Sequence, residues 1–160
     1  MTVRTATVAD LPQIFEIGAK CYPAEEALTQ EEYRGRLLVY PHHFWLLEKD
    51  QEILAFINGP VTPIDHITDE MYQNPALHRE DGTWQAILGI NTSPKHQGKG
   101  YASQIMKQVI RDAQAQGRKG CVLTCKPELI AYYEKFGFCN RGKSSSALAG
   151  QPWYDMALLS

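Results

Sequence analysis

The amino-acid sequence predicts a domain of mixed α/β class, and two features of the chain support that prediction. In the second half, an apolar run at 85–90, a glycine-containing loop, a long periodic helix and another apolar run at 121–124 follow in order. A strand, helix and strand joined in this way form a crossover between parallel strands. In the first half, apolar runs at 44–48 and 53–58 flank a short polar link, which indicates an antiparallel hairpin. The sheet is therefore expected to contain both strand directions.

Two helices are predicted between an N-terminal strand at 3–6 and this hairpin. Thr7, with Asp10 three residues later, has the capping-box pattern, and apolar residues at helical spacing follow it. A second helical stretch occupies 30–38 and starts from Thr29 or from the next residue.

The crossover helix has the most regular pattern in the chain. It follows Gly98 and ends at Gly117, and its apolar residues recur at i, i+3, i+4 and i+7, as on a helix packed against a sheet. The remaining predicted elements are a short helix around 67–72 within the polar segment 60–82, a short helix at 129–135, and a C-terminal strand from Phe138.

Composition narrows the functional classes. The chain has 160 residues, with 16 Lys and Arg against 18 Asp and Glu, so it offers no global charge for nucleic acid or an anionic membrane. No apolar run approaches the roughly 20 residues that span a bilayer, and the N-terminus lacks the apolar region of a signal peptide. A cytoplasmic protein is expected, as a monomer or homodimer. The four cysteines are expected to be reduced thiols, and no metal site is expected, because Cys121 and Cys125 lack a second ligand pair nearby.

The glycine loop at Gly98 and Gly100 is the main candidate for a binding site. Backbone N–H groups at a helix start lack partners within the helix, and glycine allows close approach of an anion such as pyrophosphate. Lys95 and Lys99 add local positive charge. The alternative is that these glycines only make a tight turn. The loop matches neither the Walker A pattern nor the Rossmann fingerprint, which disfavours a nucleoside triphosphatase or a dehydrogenase.

Two motifs in the correct order resemble the GNAT superfamily of N-acetyltransferases, and most closely its arylalkylamine (serotonin-type) members. Lys95-His96-Gln97-Gly98-Lys99-Gly100 is similar to the acetyl-CoA loop Gln/Arg-x-x-Gly-x-Gly/Ala, with Lys in the first place. The stretch Tyr133-Glu134-Lys135-Phe136-Gly137-Phe138 is similar to the later motif, about thirty residues downstream.

This resemblance implies a fold and a cofactor. The fold is one GNAT domain over 1–160, with a splayed, mixed sheet of about six to seven strands and about four helices. Acetyl-CoA is implied as co-substrate, with pantetheine between strands 87–90 and 121–124 and no metal. The implied cofactor-binding residues are Leu88, Ile90, Lys95, His96, Gln97, Gly98, Lys99, Gly100, Tyr101 and Ala102.

The resemblance also implies a catalytic tyrosine, and it shows that the histidine pair expected to act as general base is absent from this sequence. Tyr133 stands at the position of the family's tyrosine, which protonates the departing thiolate; the alternative is a packed aromatic. Serotonin-type enzymes carry two histidines on the strand before the glycine loop, and those positions here are Trp84 and Ala86. Neither titrates, so the amine is expected to lose its proton to ordered water or a carboxylate, with His78 as a less favoured base.

The expected substrate is a primary amine of a small molecule, with an arylalkylamine as one candidate. Tyr22, Glu25, Glu26 and Phe44 are candidate acceptor-binding residues, because aromatic walls and carboxylates suit an aryl ammonium ion. The alternative is that the aromatics belong to the core and the carboxylates are solvated. A polyamine, an aminoglycoside or a protein N-terminus remain alternative acceptors, and a non-catalytic acyl-CoA-binding module is an alternative of another class.

Overall fold

A computed structural model describes residues 1–146 and 150–160, which form nine β-strands and five α-helices. The strands are β1 (Thr2–Thr5), β2 (Phe44–Lys49), β3 (Glu52–Asn58), β4 (Val61–Thr62), β5 (Trp84–Ala86), β6 (Gly89–Thr92), β7 (Gly120–Cys125), β8 (Cys139–Lys143) and β9 (Tyr154–Leu159). The helices are α1 (Leu11–Cys21), α2 (Gln30–Val39), α3 (Asp69–Gln73), α4 (Tyr101–Ala115) and α5 (Ile130–Glu134). The mixed α/β class is confirmed. None of the helices in the described residues has the length and apolar character needed to cross a membrane.

The chain divides into two compact units. The first comprises Met1–Gly59 and Gly89–Val109, and the second comprises Pro60–Leu88 and Ile110–Ser160. Each unit contains one sheet: the first has the order β1-β2-β3-β6, and the second has the order β4-β5-β7-β9-β8. The expectation of one domain over 1–160 stays a prediction.

In the first unit, all strand pairs are antiparallel, and β2 and β3 form the predicted hairpin. Both helix starts follow the capping chemistry that the sequence indicates. The backbone N–H of Thr7 donates to Asp10 at 2.8 Å and caps the 3₁₀ turn Val8–Asp10 that leads into α1. At the start of α2, Thr29 exchanges hydrogen bonds with Glu32 at 2.9 and 3.1 Å. Apolar residues of α1 and α2, among them Ile14 and Leu37, pack with residues of β2 and β3 in one buried cluster.

In the second unit, β5 and β7 are parallel, as the crossover predicts, and the other strand pairs are antiparallel. Trp84, Ala86, Val122 and Ala157 form a buried cluster with Met71 of α3 on one face of this sheet. At the end of α4, Gly117 has φ +76°, the left-handed conformation that favours glycine at a helix C-terminus.

The predicted single strand at 85–90 is wrong, because this stretch forms two strands in different sheets. β5 pairs with β4 and β7, whereas β6 pairs with β3. An apolar run shows that a segment is buried but does not show which strand it pairs with. This division, the two-residue β4 and the presence of two C-terminal strands, β8 and β9, give nine strands in place of the expected six to seven. α3 overlaps the short helix predicted around 67–72 and is the fifth helix, where about four were expected.

Candidate active site

The glycine loop has the backbone conformation that only glycine adopts readily. Gly98 has φ +80° and Gly100 has φ +78°, and among the described residues no atom beyond the glycine and its two chain neighbours lies within 4 Å of the position that a Cβ would occupy at either residue. Steric crowding within the protein therefore does not explain these glycines. The left-handed backbone does, and it leaves open space on the surface of the loop.

Helix α4 begins directly after this loop. The N–H of Gln104 donates to the carbonyl of Gly100 at 3.2 Å, which is the first turn of the helix. The N–H groups of Tyr101 and Ala102 precede this bond and belong to the turn that has no intrahelical acceptor. Lys95 and Lys99 are exposed beside it. A helix start, open glycines and two ammonium groups together fit a pyrophosphate.

A chain of side-chain contacts organises the loop further. His96 lies between two charged groups, with Nε2 3.2 Å from Oε2 of Glu52 and Nδ1 3.3 Å from Nζ of Lys99. A lysine ammonium only donates, so Nδ1 of His96 is the acceptor in this arrangement, and Nε2 carries the proton donated to Glu52. His96 therefore orients Lys99, and this contact is a structural alternative to direct contact of His96 with a phosphate.

Strand β6 presents unpaired backbone groups at Ile90. The N–H of Ser93 donates to the carbonyl of Leu54 at 2.9 Å, which fixes the alternation of the ladder between β3 and β6. Asn91 is then a hydrogen-bonded position, whereas the N–H and C=O of Ile90 point away from β3. Among residues 1–146 and 150–160, β3 is the only strand that pairs with β6. Ile90 therefore has the free backbone groups that binding a pantetheine amide requires.

The same edge carries a thiol. Sγ of Cys21, at the end of α1, donates to the Thr92 carbonyl at 3.2 Å, and burial raises the pKa of this thiol. All four cysteines are free. Burial also raises the pKa of Cys121 to about 12 and that of Cys125 to about 11, so both are neutral thiols near pH 7. Neutral thiols are poor nucleophiles and poor metal ligands.

Leu88 lies in the second unit, one residue past a hydrogen bond of the parallel ladder. The N–H of Ile87 donates to the Val122 carbonyl at 2.9 Å, so the backbone groups of Leu88 point away from β7.

Trp84 and Ala86, the positions that correspond to the histidine pair of serotonin-type enzymes, are 5% and 0% exposed. Both side chains belong to the apolar cluster of this unit.

Tyr133 is a buried residue of α5, with 6% exposure. Its ring makes edge contacts with Tyr132, with centroids 5.0 Å apart, and with Phe138, at 6.1 Å. Tyr132 also contacts Phe136 and is more exposed than Tyr133. The motif residues thus hold the Tyr133 ring in a fixed orientation, which suits either a packed aromatic or a positioned proton donor. The catalytic role of Tyr133 stays a prediction.

His78 is a structural histidine rather than a surface one. Its side chain is 7% exposed, Nδ1 accepts the N–H of Val61 at 2.9 Å, and Nε2 lies 3.0 Å from Oε1 of Glu80. Because Nδ1 accepts from the backbone, Nε2 carries the proton of the neutral ring. A general base must have a free acceptor nitrogen within reach of the substrate. His78 does not offer one in this arrangement.

The predicted acceptor-binding residues do not share one environment. Phe44 is fully buried and stacks on Phe56 with centroids 5.5 Å apart, so its ring belongs to the core and is not an exposed wall. Tyr22 is 38% exposed, and Glu25 and Glu26 are exposed in the turn that follows α1. These three remain candidates for contact with an acceptor.

One functional candidate has no signal in the sequence. Asp155 of β9 has an oxygen, Oδ1, that is buried and has no hydrogen-bond partner in the part of the chain that the structure describes. Burial raises the pKa of its carboxyl above the ordinary value. Asp155 stands beside Tyr154 in a C-terminal strand, and no motif surrounds it. Only the pairing of distant strands reveals its surroundings.

Comparisons with curated proteins identify two relatives. A serotonin N-acetyltransferase of Mesocricetus auratus is 27% identical over 141 residues, which cover 84% of this chain and 66% of that protein. A probable glucosamine 6-phosphate N-acetyltransferase 2 of Oryza sativa subsp. japonica is 24% identical over 95 residues, which cover 58% of this chain and 57% of that protein. The chain therefore spans less than two thirds of the length of either relative.

Among solved structures, the fold matches the GphF GNAT-like decarboxylase in complex with isobutyryl-CoA. The TM-score is 0.84 at 16% sequence identity, and 99% of both chains is covered. This likeness establishes the fold. The family model described as the acetyltransferase (GNAT) family matches residues 11–138. With the match covering most of its length, the chain belongs to the acetyltransferase (GNAT) family.

Proposed function

We propose that this chain transfers the acetyl group of acetyl-CoA to a primary amine of a small molecule, with arylalkylamines as the first class to test. The observation that carries the proposal is the pair of left-handed glycines, Gly98 and Gly100, at the start of α4. Loop glycines and unpaired N–H groups at a helix start are the chemistry of a pyrophosphate site. Membership of the acetyltransferase (GNAT) family supports acetyl-CoA as the donor.

In the proposed reaction, the protein mainly binds and orients acetyl-CoA and the amine, and its side chains take part only in proton transfer. The first turn of α4, with Lys95 and Lys99, would hold the pyrophosphate, and the outward N–H of Ile90 would bind the thioester arm. Bound acetyl-CoA supplies an activated acyl group. Tyr133 would donate a proton to the departing thiolate, and the amine would attack as the neutral base.

The acceptor class is supported by the relatives and open to direct test. Similarity to the serotonin N-acetyltransferase supports an arylalkylamine as the acceptor of this chain, and similarity to the glucosamine 6-phosphate enzyme supports a sugar amine. Release of the coenzyme A thiol should be measured with 2-phenylethylamine, tryptamine, spermidine, an aminoglycoside, glucosamine 6-phosphate and a peptide with a free N-terminus. We expect the highest kcat/KM with an arylalkylamine. Tight acetyl-CoA binding without thiol release from any of these would contradict the enzyme and favour an acyl-CoA-binding module.

The dependence of the rate on pH tests the absence of a histidine base. An alkylamine is mostly protonated at pH 7, so kcat/KM should rise with pH toward the pKa of the amine itself. With two amines of different basicity, such as 2-phenylethylamine and the less basic benzylamine, the basic limb should move with the amine. His78→Ala is the control and should leave that limb in place. An inflection near pH 7 that both amines share and that His78→Ala removes would contradict the prediction.

A further inference from the structure

One face of the sheet in the second unit carries two polar residues, Thr124 and Asp155, beside an apolar cluster. These residues are direct partners in the antiparallel ladder between β7 and β9. In the next row of the same face, Val122 pairs with Ala157, and both belong to the apolar cluster. Since side chains alternate along a strand, Thr124 and Asp155 extend from the same face as this cluster. They form its polar end.

A β-bulge lies directly opposite Asp155. In the pairing of β8 with β9, Asn140 pairs with Met156 and Lys143 pairs with Tyr154, so Arg141 and Gly142 both oppose the single residue Asp155. Gly142 has φ +100°, a conformation that favours glycine. Bulges of this kind redirect side chains and are enriched next to active sites.

The carboxylate of Asp155 is only partly satisfied. It accepts a hydrogen bond from the Ser144 hydroxyl, whose oxygen in turn accepts the N–H of Ser146 at 3.0 Å. Oδ1 is buried and has no hydrogen-bond partner among residues 1–146 and 150–160. A buried carboxylate oxygen without a donor is costly unless a ligand or water supplies the missing hydrogen bond. Thr124 and Asp155 are only half-buried as whole residues, so a ligand approaching this end of the cluster meets them.

Charged and hydroxyl groups surround this carboxylate. Asp65 and His66, bonded to each other at 3.1 Å, and Arg141 of β8, 3.5 Å from Asp65, all act on Asp155 electrostatically. From α3, the Tyr72 hydroxyl reaches the Thr124 hydroxyl at 3.4 Å. Burial is the largest influence on the pKa of Asp155 and raises it; His66, the Ser144 hydrogen bond and Arg141 lower it, Asp65 raises it, and the net result is a raised pKa.

We propose that Asp155 is the carboxylate that receives the proton of the acceptor amine. This inference rests on the proposed function. The amine nitrogen forms the new C–N bond, the C–S bond to coenzyme A breaks, one N–H proton passes to Oδ1 of Asp155, and the thiolate takes a proton from Tyr133. An amine N–H is the donor that Oδ1 lacks. Asp155 then releases its proton to solvent, and the Tyr133 phenolate takes one back from solvent, so both groups return to their starting states.

The shape of the pH profile distinguishes this role from a structural one. In the natural chain, kcat/KM requires a neutral amine and an ionised Asp155, so log kcat/KM should rise with a slope of about two at low pH and about one above the pKa of Asp155. Asp155→Asn should keep a slope of about one throughout and lower kcat/KM at pH 7 by about tenfold or more. Its affinity for acetyl-CoA should not change.

Asp65→Asn is the matched control, because it removes a neighbouring carboxylate from the same surroundings. It should retain the slope of about two, and the break should move to lower pH, since one of the charges that raise the pKa of Asp155 is gone. Turnover at pH 7 should stay within about twofold of the natural chain.

Stability provides a readout that does not depend on turnover. The folded chain holds the Asp155 proton more tightly than the unfolded chain, so the free energy of unfolding falls as the pH rises from the ordinary carboxyl pKa through the raised one. Asp155→Asn removes that fall. We therefore expect an equal or higher midpoint of thermal unfolding at pH 7.

The outcomes separate the two proposals. Full kcat/KM and an unchanged slope in Asp155→Asn would overturn the role of Asp155 while the natural chain still acetylates amines. A folded Asp155→Asn chain that is clearly less stable at pH 7 and has the natural pH profile would make Asp155 a structural residue. No turnover by the natural chain with any amine would overturn both proposals.

Discussion

Gly100→Val is expected to abolish acetyl-CoA binding and to leave the chain folded. Gly100 has φ +78°, and left-handed backbone costs a residue with a Cβ roughly 1–2 kcal/mol. Within residues 1–146 and 150–160, only the glycine itself and its two chain neighbours have atoms within 4 Å of the new Cβ, so the larger effect falls on ligand binding. A valine there would occupy the space in which the pyrophosphate meets the first turn of α4. Isothermal titration calorimetry with acetyl-CoA measures the loss.

Gly117→Val is the matched control for this experiment. Gly117 stands at the other end of α4 with φ +76°, and the described part of the chain likewise has no atom beyond its chain neighbours within 4 Å of a Cβ there. Both variants should lose a similar amount of thermal stability, because both force a β-branched residue into the left-handed region. Only Gly100→Val should lose the ligand. Unchanged affinity in a folded Gly100→Val protein would mean that acetyl-CoA binds elsewhere.

Local patterns were sufficient to predict helix α4 and the hairpin of β2 and β3. The spacing of Ile105, Met106 and Val109 predicted α4, and all three side chains are buried. The polar link after Lys49 predicted the hairpin of β2 and β3. Each of these features depends on residues close together in the chain, where helical or strand periodicity determines which side chains are buried.

Features that depend on distant residues were not predicted. Glu52 and His96 are 44 positions apart, and their contact depends on the pairing of β3 with β6. Phe44 begins a strand, and from the sequence an aromatic residue there could line a binding site or belong to the core. It belongs to the core because residues of α1 and α2 pack against it. Asp155 acquires its surroundings from β7, from the bulge in β8 and from the segment before α3. No short sequence window contains that information.

The roles proposed for Asp155 and Tyr133 answer different needs of the same reaction. A carboxylate suits the proton that leaves nitrogen, because the pKa of an amine falls as its nitrogen bonds to the acyl carbon. The departing thiolate is more basic than a carboxylate, so a phenol with an ordinary pKa of about 10 is a better partner for it. Two groups of different acidity on one unit can therefore carry the two transfers.

Tyr133→Phe is expected to lower kcat by roughly 10² to 10⁴ while leaving the affinity for acetyl-CoA nearly unchanged, since it removes only the hydroxyl that would protonate the thiolate. The ring contacts with Tyr132 and Phe138 survive in phenylalanine, so the fold around α5 should persist.

Tyr132→Phe is the matched control for this substitution, because it removes a hydroxyl from the adjacent and more exposed ring. Its kcat should stay within about twofold of the natural value, since surface substitutions away from special features have small effects. Single-turnover measurements should accompany steady-state kcat, because slow product release would hide a change in chemistry. A Tyr133→Phe chain with the natural single-turnover rate would show that water, and not this phenol, protonates the leaving thiolate.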